Sequence, residues 1–185
     1  MPQYILFHKP YGVLSQFTPE DGAKSLAEFQ LPKGVYAAGR LDKDSEGLLL
    51  LTDDGPLIEK ILNPNNEKTK TYWVLVERVP SEEALEKMRK GLKIEDYVTK
   101  KCEVKILSPQ PEVPQRDPPV RFRKSVTDIW LEIKIVEGKN RQVRKMTAAI
   151  GHPTLRLIRM SIANLELQDL KPGEWREIRK EDVPF

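Results

Sequence analysis

Apolar positions along this chain fall mostly into short runs and alternations of strand length, with three longer stretches at helical spacing. Tyr4 to Phe7 is an apolar, aromatic-rich run that predicts a strand. Lys9-Pro10-Tyr11-Gly12 turns the chain after it, because proline presets φ and glycine tolerates positive φ. Val35 to Leu41 predicts a second strand, broken by the polar loop Asp42-Lys43-Asp44-Ser45-Glu46-Gly47. Leu48 to Leu51 is a continuous apolar run, most simply a strand buried on both faces, and Asp53-Asp54-Gly55 ends it. Pro56 suits the first turn of a helix, in which Leu57, Ile58, Ile61 and Leu62 repeat at helical spacing up to Asn63-Pro64.

Lys70 to Glu77 returns to strand chemistry. Ser81 can cap a helix that has Glu82 and Glu83 at its positive end, Leu85, Met88 and Leu92 as its apolar stripe, and Gly91 as its stop. Val104 and Ile106 alternate with polar residues, and Ile129, Leu131, Ile133 and Ile135 alternate over a longer strand. Asn140 can cap a helix whose inner face is Val143, Met146 and Ile150 and which Gly151 ends before Pro153. Leu155 to Ile162, Leu165 to Leu167 and Trp175 to Ile178 predict short closing strands. Residues 109–124 break the pattern, since Pro109, Pro111, Pro114, Pro118 and Pro119 exclude a helix or a central strand. That segment also carries Arg116, Arg121, Arg123 and Lys124, so it is a long basic loop between two strands, of a kind that is commonly functional. Many strands with few helices predict an α+β sheet protein rather than alternating β-α units.

Composition narrows the classes of function. No apolar run reaches the roughly 18 residues a membrane span needs, and Met1-Pro2-Gln3-Tyr4 shows no charged leader before an apolar stretch. The single cysteine, Cys102, excludes an internal disulfide and predicts a reducing, cytoplasmic setting. His8 and His152 lie far apart with no ligand spacing, so no metal site is expected. Charge is unevenly placed: residues 101–160 carry 13 Lys and Arg against 6 Asp and Glu, so the rest of a chain of net charge +3 is acidic. A basic region of this kind suits a polyanion, and it also suits a merely solvated face.

Three places carry candidate chemistry. Asp42 ends a predicted strand and opens a loop, which holds a carboxylate at the rim of a sheet, although aspartate is also an ordinary turn residue. Lys139, Arg141, Arg144 and Lys145 crowd the positive end of a predicted helix, where each cation opposes the macrodipole at a cost of about 0.3–1 kcal/mol. A bound anion, either a phosphate or a carboxylate such as Asp42, would offset that cost. Tyr72, opening a strand, is either core or a ring on which a nucleobase stacks.

Taken together these segments resemble a family. Gly39-Arg40-Leu41-Asp42, followed by Asp44-Ser45-Glu46-Gly47-Leu48-Leu49-Leu50-Leu51-Thr52, is similar to the signature of RNA pseudouridine synthases of the RsuA group. Lys9-Pro10 with Gly12 is similar to the first motif of that group, Lys70-Thr71-Tyr72 to its second, and Glu137 through Met146 to its third. Leu155-Arg156-Leu157-Ile158-Arg159 follows as the closing strand. Several ordered motifs with suitable gaps are far more specific than any one alone. Within the group the chain most resembles the RluE type, which modifies large-subunit (23S) ribosomal RNA: it starts directly at the first motif, and Arg121-Phe122-Arg123-Lys124-Ser125 precedes a strand containing Trp130.

The resemblance implies a single catalytic domain over 1–185, made of two closely packed subdomains without an N-terminal S4 domain. It implies the pseudouridine synthase fold, a mixed, mostly antiparallel sheet with flanking helices and a central cleft. It further implies that a monomer, using neither cofactor nor metal, breaks the N-glycosidic bond of a flipped-out uridine, turns the uracil and rejoins it through C5. Asp42 takes the place of the essential carboxylate, Arg144 of the cation that keeps it ionised, and Tyr72 of the ring that stacks on the base. Leu157 would pack under the target, while Arg40, Lys70, Lys139, Arg141 and the loop residues Arg121, Arg123 and Lys124 would hold the RNA. Two other classes remain for such a chain. One is an inactive ribosome-assembly or RNA-binding module, against which the intact Asp42, Tyr72 and Arg144 stand. The other is a nucleoside hydrolase, which in two-carboxylate form needs a second acid beside Asp42.

Overall fold

The computed structural model describes residues 1–185. In chain order the elements are β1 (Tyr4–Lys9), β2 (Tyr36–Ala37), β3 (Glu46–Thr52), α1 (Gly55–Leu62), β4 (Lys70–Glu77), α2 (Glu82–Lys90), β5 (Lys93–Ile94) and β6 (Tyr97–Val98). They continue with β7 (Glu103–Ile106), β8 (Asp128–Ile135), α3 (Gln142–Ala149), β9 (Thr154–Ile162), β10 (Leu165–Glu166) and β11 (Trp175–Glu177). The chain divides into two compact units, one of Met1–Asn66 with Arg159–Phe185 and one of Glu67–Ile158.

The first unit is built on β1 and β3, which pair antiparallel with Ile5 opposite Leu51 and Phe7 opposite Leu49. Those four side chains join Val13, Leu26 and Val35 in one core. Leu6, Leu48 and Leu50 are buried as well, so the run Leu48–Leu51 is covered on both faces, as its lack of alternation predicts. Each such side chain contributes about 1.5–3 kcal/mol by leaving water. β11 pairs with the other edge of β1. Asp54 caps α1 by accepting the Leu57 N–H at 3.1 Å, which leaves Pro56 in the first turn where its missing N–H costs nothing.

The second unit has β8 between β4 and β7, all antiparallel. Tyr72, Val74 and Val76 of β4 lie opposite Ile133, Leu131 and Ile129 of β8. Leu85 and Met88 of α2 and Val143 and Met146 of α3 pack into the same core. α2 runs between the expected signals: Ser81 accepts the Ala84 N–H at 3.2 Å, and Gly91 ends the helix at a φ of +111°. The hairpin of β5 and β6 has no strong signal in the sequence, because its turn at Glu95-Asp96 lacks the Asn-Gly or Asp-Gly pair that marks tight hairpins.

Three boundaries differ from expectation. Val35–Leu41 is not a full strand: only Tyr36 and Ala37 pair with β3, because Gly39 at a φ of +94° turns the chain out of the ladder. The loop after Asp42 is shorter than predicted, because Glu46 and Gly47 already belong to β3. Asn140 does not cap α3. Arg141 takes that position in the left-handed region, at a φ of +50° and with no side-chain cap. The turn is instead held by Gln142, whose Oε1 accepts the Lys139 N–H at 3.1 Å while its Nε2 donates to Glu137 at 2.7 Å.

Candidate active site

Asp42 sits in a turn of the first unit that is fastened on both sides. The buried Ser15 hydroxyl donates to the Leu41 carbonyl at 2.7 Å and accepts the Leu41 N–H at 3.0 Å. Ser45 N–H closes the turn onto the Asp42 carbonyl at 3.0 Å. The next carbonyl, that of Lys43, accepts from Gly12 N–H at 2.8 Å and from Lys9 Nζ at 3.4 Å. The backbone on either side of a half-buried carboxylate is therefore satisfied by fixed partners, which suits a group that must hold one position.

Lys9 explains part of that rigidity. Its side chain is fully buried, and its ammonium also donates to the carbonyls of Val13 at 2.6 Å and Pro10 at 2.9 Å. Burial pushes the amine down from the ordinary lysine range to about 7, against the opposing pull of Glu46, Asp44 and Asp42, in that order. Arg159, also buried, donates its Nε–H to the Leu48 carbonyl at 2.9 Å and adds a like charge that disfavours the Lys9 ammonium. β3 starts at this turn because of Gly47. A Cβ there would stand 2.3 Å from the Arg159 carbonyl oxygen, and its φ of +110° is open only to glycine. Arg40, two residues before Asp42, is exposed and bonded to Gln16 Oε1 at 2.9 Å.

The other expected site residues belong to the second unit. Tyr72 is 8% exposed and, with Leu157, is part of the core of that unit. Arg144 is half-buried in the first turn of α3. Glu137 organises the approach to that helix: its carboxylate accepts from Gln142 and from the Lys100 N–H at 2.9 Å, and its carbonyl accepts from Lys70 Nζ at 3.1 Å. Lys139 and Lys145, two of the four cations around this turn, have partners within the unit. Lys145 pairs with Glu95 at 3.2 Å, and Lys139 lies over the Tyr97 ring at 5.5 Å. Arg141 is exposed beside them.

The basic loop, also in the second unit, has fixed points along its length. Gln110 exchanges hydrogen bonds with the Trp130 backbone, at 2.7 Å to the N–H and 3.1 Å to the carbonyl. Arg116 donates to the carbonyls of Pro118 at 2.8 Å and Leu155 at 3.3 Å, and Arg156 donates to the Pro114 carbonyl at 2.8 Å. Arg123 pairs with the buried Glu77 at 2.9 Å, whereas Arg121 and Lys124 are exposed. Reading by residue type missed Ser15 and gave Glu137 no role beyond opening the third motif. Neither has a local signal, because the partners of Ser15 lie 26 positions away and those of Glu137 are spread over three segments.

Comparison with known proteins gives the family. The family described as RNA pseudouridylate synthase matches residues 3–149. A protein of Vibrio vulnificus named ribosomal large subunit pseudouridine synthase E is 54% identical over 174 residues, covering 94% of this chain and 74% of its own length. One of the same name from Xanthomonas axonopodis pv. citri is 54% identical over 170 residues, covering 91% and 90%. A crystal structure described as a pseudouridylate synthase superposes with a TM-score of 0.80 at 28% identity, over 98% of this chain and 72% of that one.

Proposed function

Since the chain belongs to the RNA pseudouridylate synthase family, we propose that it isomerises a specific uridine of 23S ribosomal RNA to pseudouridine, with Asp42 as the catalytic carboxylate. It is an RNA pseudouridine synthase with the fold of that family, an isomerase. The choice of large-subunit RNA rests on the relatives named for it, which match more than nine-tenths of this chain at over half identity. The choice of Asp42 rests on one observation above all: the Gly39-Arg40-Leu41-Asp42 motif ends in a turn whose flanking peptide groups are held by Ser15, Ser45, Gly12 and Lys9.

In the reaction the bond between C1′ and N1 breaks, a bond between C1′ and C5 forms, the proton on C5 leaves and N1 gains one. Mass and redox state are unchanged. The target nucleotide must leave its stack to be reached. The roles that the resemblance implies for Tyr72, Arg144 and Leu157, and for Arg40, Lys70, Lys139, Arg141, Arg121, Arg123 and Lys124 on the RNA, are part of the same proposal. So is action as a monomeric single domain in the cytoplasm, for a chain with no helix long and apolar enough to cross a membrane.

The test is to map pseudouridine across ribosomal RNA from cells with and without the gene, and to repeat the reaction with purified protein on 23S RNA. One large-subunit position should lose its modification in the deletion and regain it in the tube. Asp42→Asn keeps the shape and loses the charge, so it should bind RNA and form no pseudouridine. Turnover in that variant would remove Asp42 from the chemistry, and an unchanged modification map would remove ribosomal RNA as the substrate.

A further inference from the structure

Phe122 is the largest apolar side chain that the second unit leaves in water, at 81% exposure. Full exposure of a phenylalanine forgoes burial free energy that core positions collect. Its neighbours make the position specific. Arg121 and Lys124 on either side are exposed cations, and Pro118 through Thr127 contains no acidic residue.

The segment is not a loose tether. Arg123, next to Phe122, is fixed by Glu77 at 2.9 Å, and its carbonyl accepts the Val126 N–H at 3.4 Å. Thr127 then accepts the Arg78 N–H at 2.8 Å through its carbonyl. Upstream, the bonds of Arg116 and Arg156 to the Pro118, Leu155 and Pro114 carbonyls fix the proline-rich half. The aromatic ring is thus presented between two anchored stretches, with cations beside it.

We propose that Phe122 is a stacking platform for an unpaired nucleobase of the RNA, with Arg121 and Lys124 taking the adjacent phosphates and Arg123, paired with Glu77, narrowed from a direct RNA contact to the anchor that presents the ring. This rests on the reading of the chain as an RNA-modifying enzyme and adds to it the form of RNA the loop takes, an unpaired stretch. A base has a π-face whatever its identity, so such a platform binds single strands without fixing their sequence. An aromatic flanked by cations also suits a protein surface. The one acid paired to a cation of Pro118–Thr127 is Glu77 on Arg123, so Arg121 and Lys124 flank the ring with no acid of the stretch to repel a phosphate backbone, which favours RNA.

The probes are a 12-nucleotide single-stranded RNA of mixed sequence with 2-aminopurine at its centre and the fully paired duplex of that sequence. Phe122→Leu should weaken binding to the single strand about fivefold or more, the range of one stacked base, and abolish quenching of the 2-aminopurine. Phe122→Trp should retain both. The salt slope should be the same in all Phe122 proteins, since no charge changes, and duplex affinity should move less than twofold. Arg121→Ala and Lys124→Ala should each lower the slope by about one.

Glu77→Gln separates anchor from contact. As an anchor, Arg123 should be released and single-strand binding weakened. As a phosphate contact, Arg123 should be freed by the loss of its partner and binding strengthened, which would overturn its assigned part. Unchanged affinity of Phe122→Leu, or equal loss on duplex and single strand, would overturn the stacking. So would a loss seen only with ribosomal particles and not with free RNA, which points to a protein partner. Pseudouridine formation on 23S RNA is scored separately. An inactive wild-type protein that still shows the stacking pattern would sink the substrate reading alone, and an active one indifferent to Phe122 would sink the platform alone.

Discussion

The turn that carries Asp42 and the loop that carries Phe122 are both polar interruptions between strands, yet they are held in opposite ways. Around Asp42 the peptide groups of residues 41–43 find partners from residues 9, 12, 15 and 45, at least three of which are buried. Along residues 109–124 the backbone is gripped at Pro114, Pro118 and Arg123, and the side chains between are exposed except for the half-buried Arg116 and Val120. A carboxylate in a chemical step needs one position, because an error of an ångström costs rate. A surface that meets a flexible polyanion needs charge and an aromatic face more than it needs rigidity. The contrast fits the proposal of chemistry at the first and capture at the second.

The largest break should come from Gly47→Ala. Its Cβ collides with the Arg159 backbone at 2.3 Å in a left-handed conformation, so β3 must shift. Denaturant unfolding should show a loss of about 4 kcal/mol or more. Pro119→Ala, in the exposed loop, should stay within about 0.5 kcal/mol. Equal costs would erase the distinction between the two regions.

Ser15→Ala should come next. It leaves the buried N–H and carbonyl of Leu41 without their partner, at about 1–3 kcal/mol. If the hydroxyl fixes Asp42, single-turnover rates should fall about ten- to a hundredfold while the Kd for RNA holds. Loss of affinity with an unchanged rate would assign Ser15 to the loop's kind of role instead.

A further effect should appear only as pH changes. The Lys9 amine titrates near 7 when folded and near 10.5 when unfolded. Between those values the unfolded chain therefore holds a proton that the folded chain does not, and stability should rise with pH. The cost of burying the charge is fully present below about 7 and is relieved toward 10. Lys9→Met should lack that rise. Parallel stability curves for the two proteins from pH 7 to 10 would mean that the amine stays charged throughout. The smallest expected change is in the loop itself, where Arg121→Ala should leave the melting temperature within a degree or two while flattening the salt dependence of binding.

Sequence alone was enough for most of the elements and for the family. Ser81 and Gly91 bounded α2, the unbroken run Leu48–Leu51 gave a doubly buried strand, and the alternation in β8 gave its inner face, because these signals are local and repeat at the period of the element. The motif ending in Asp42 was likewise readable, since its residues are contiguous. What only the tertiary structure decided was how each group is held. Gly39 cut the expected strand Val35–Leu41 down to Tyr36–Ala37, Gln142 rather than Asn140 shaped the start of α3, Glu95 took up the charge of Lys145, and Glu77 took up that of Arg123. Each of those outcomes depends on a partner distant in sequence or on one backbone angle, and neither leaves a periodic mark on the chain. For the same reason Ser15 and the bonding role of Glu137 went unread: a hydroxyl or carboxylate that fixes another segment's backbone looks, in sequence, like any other polar residue.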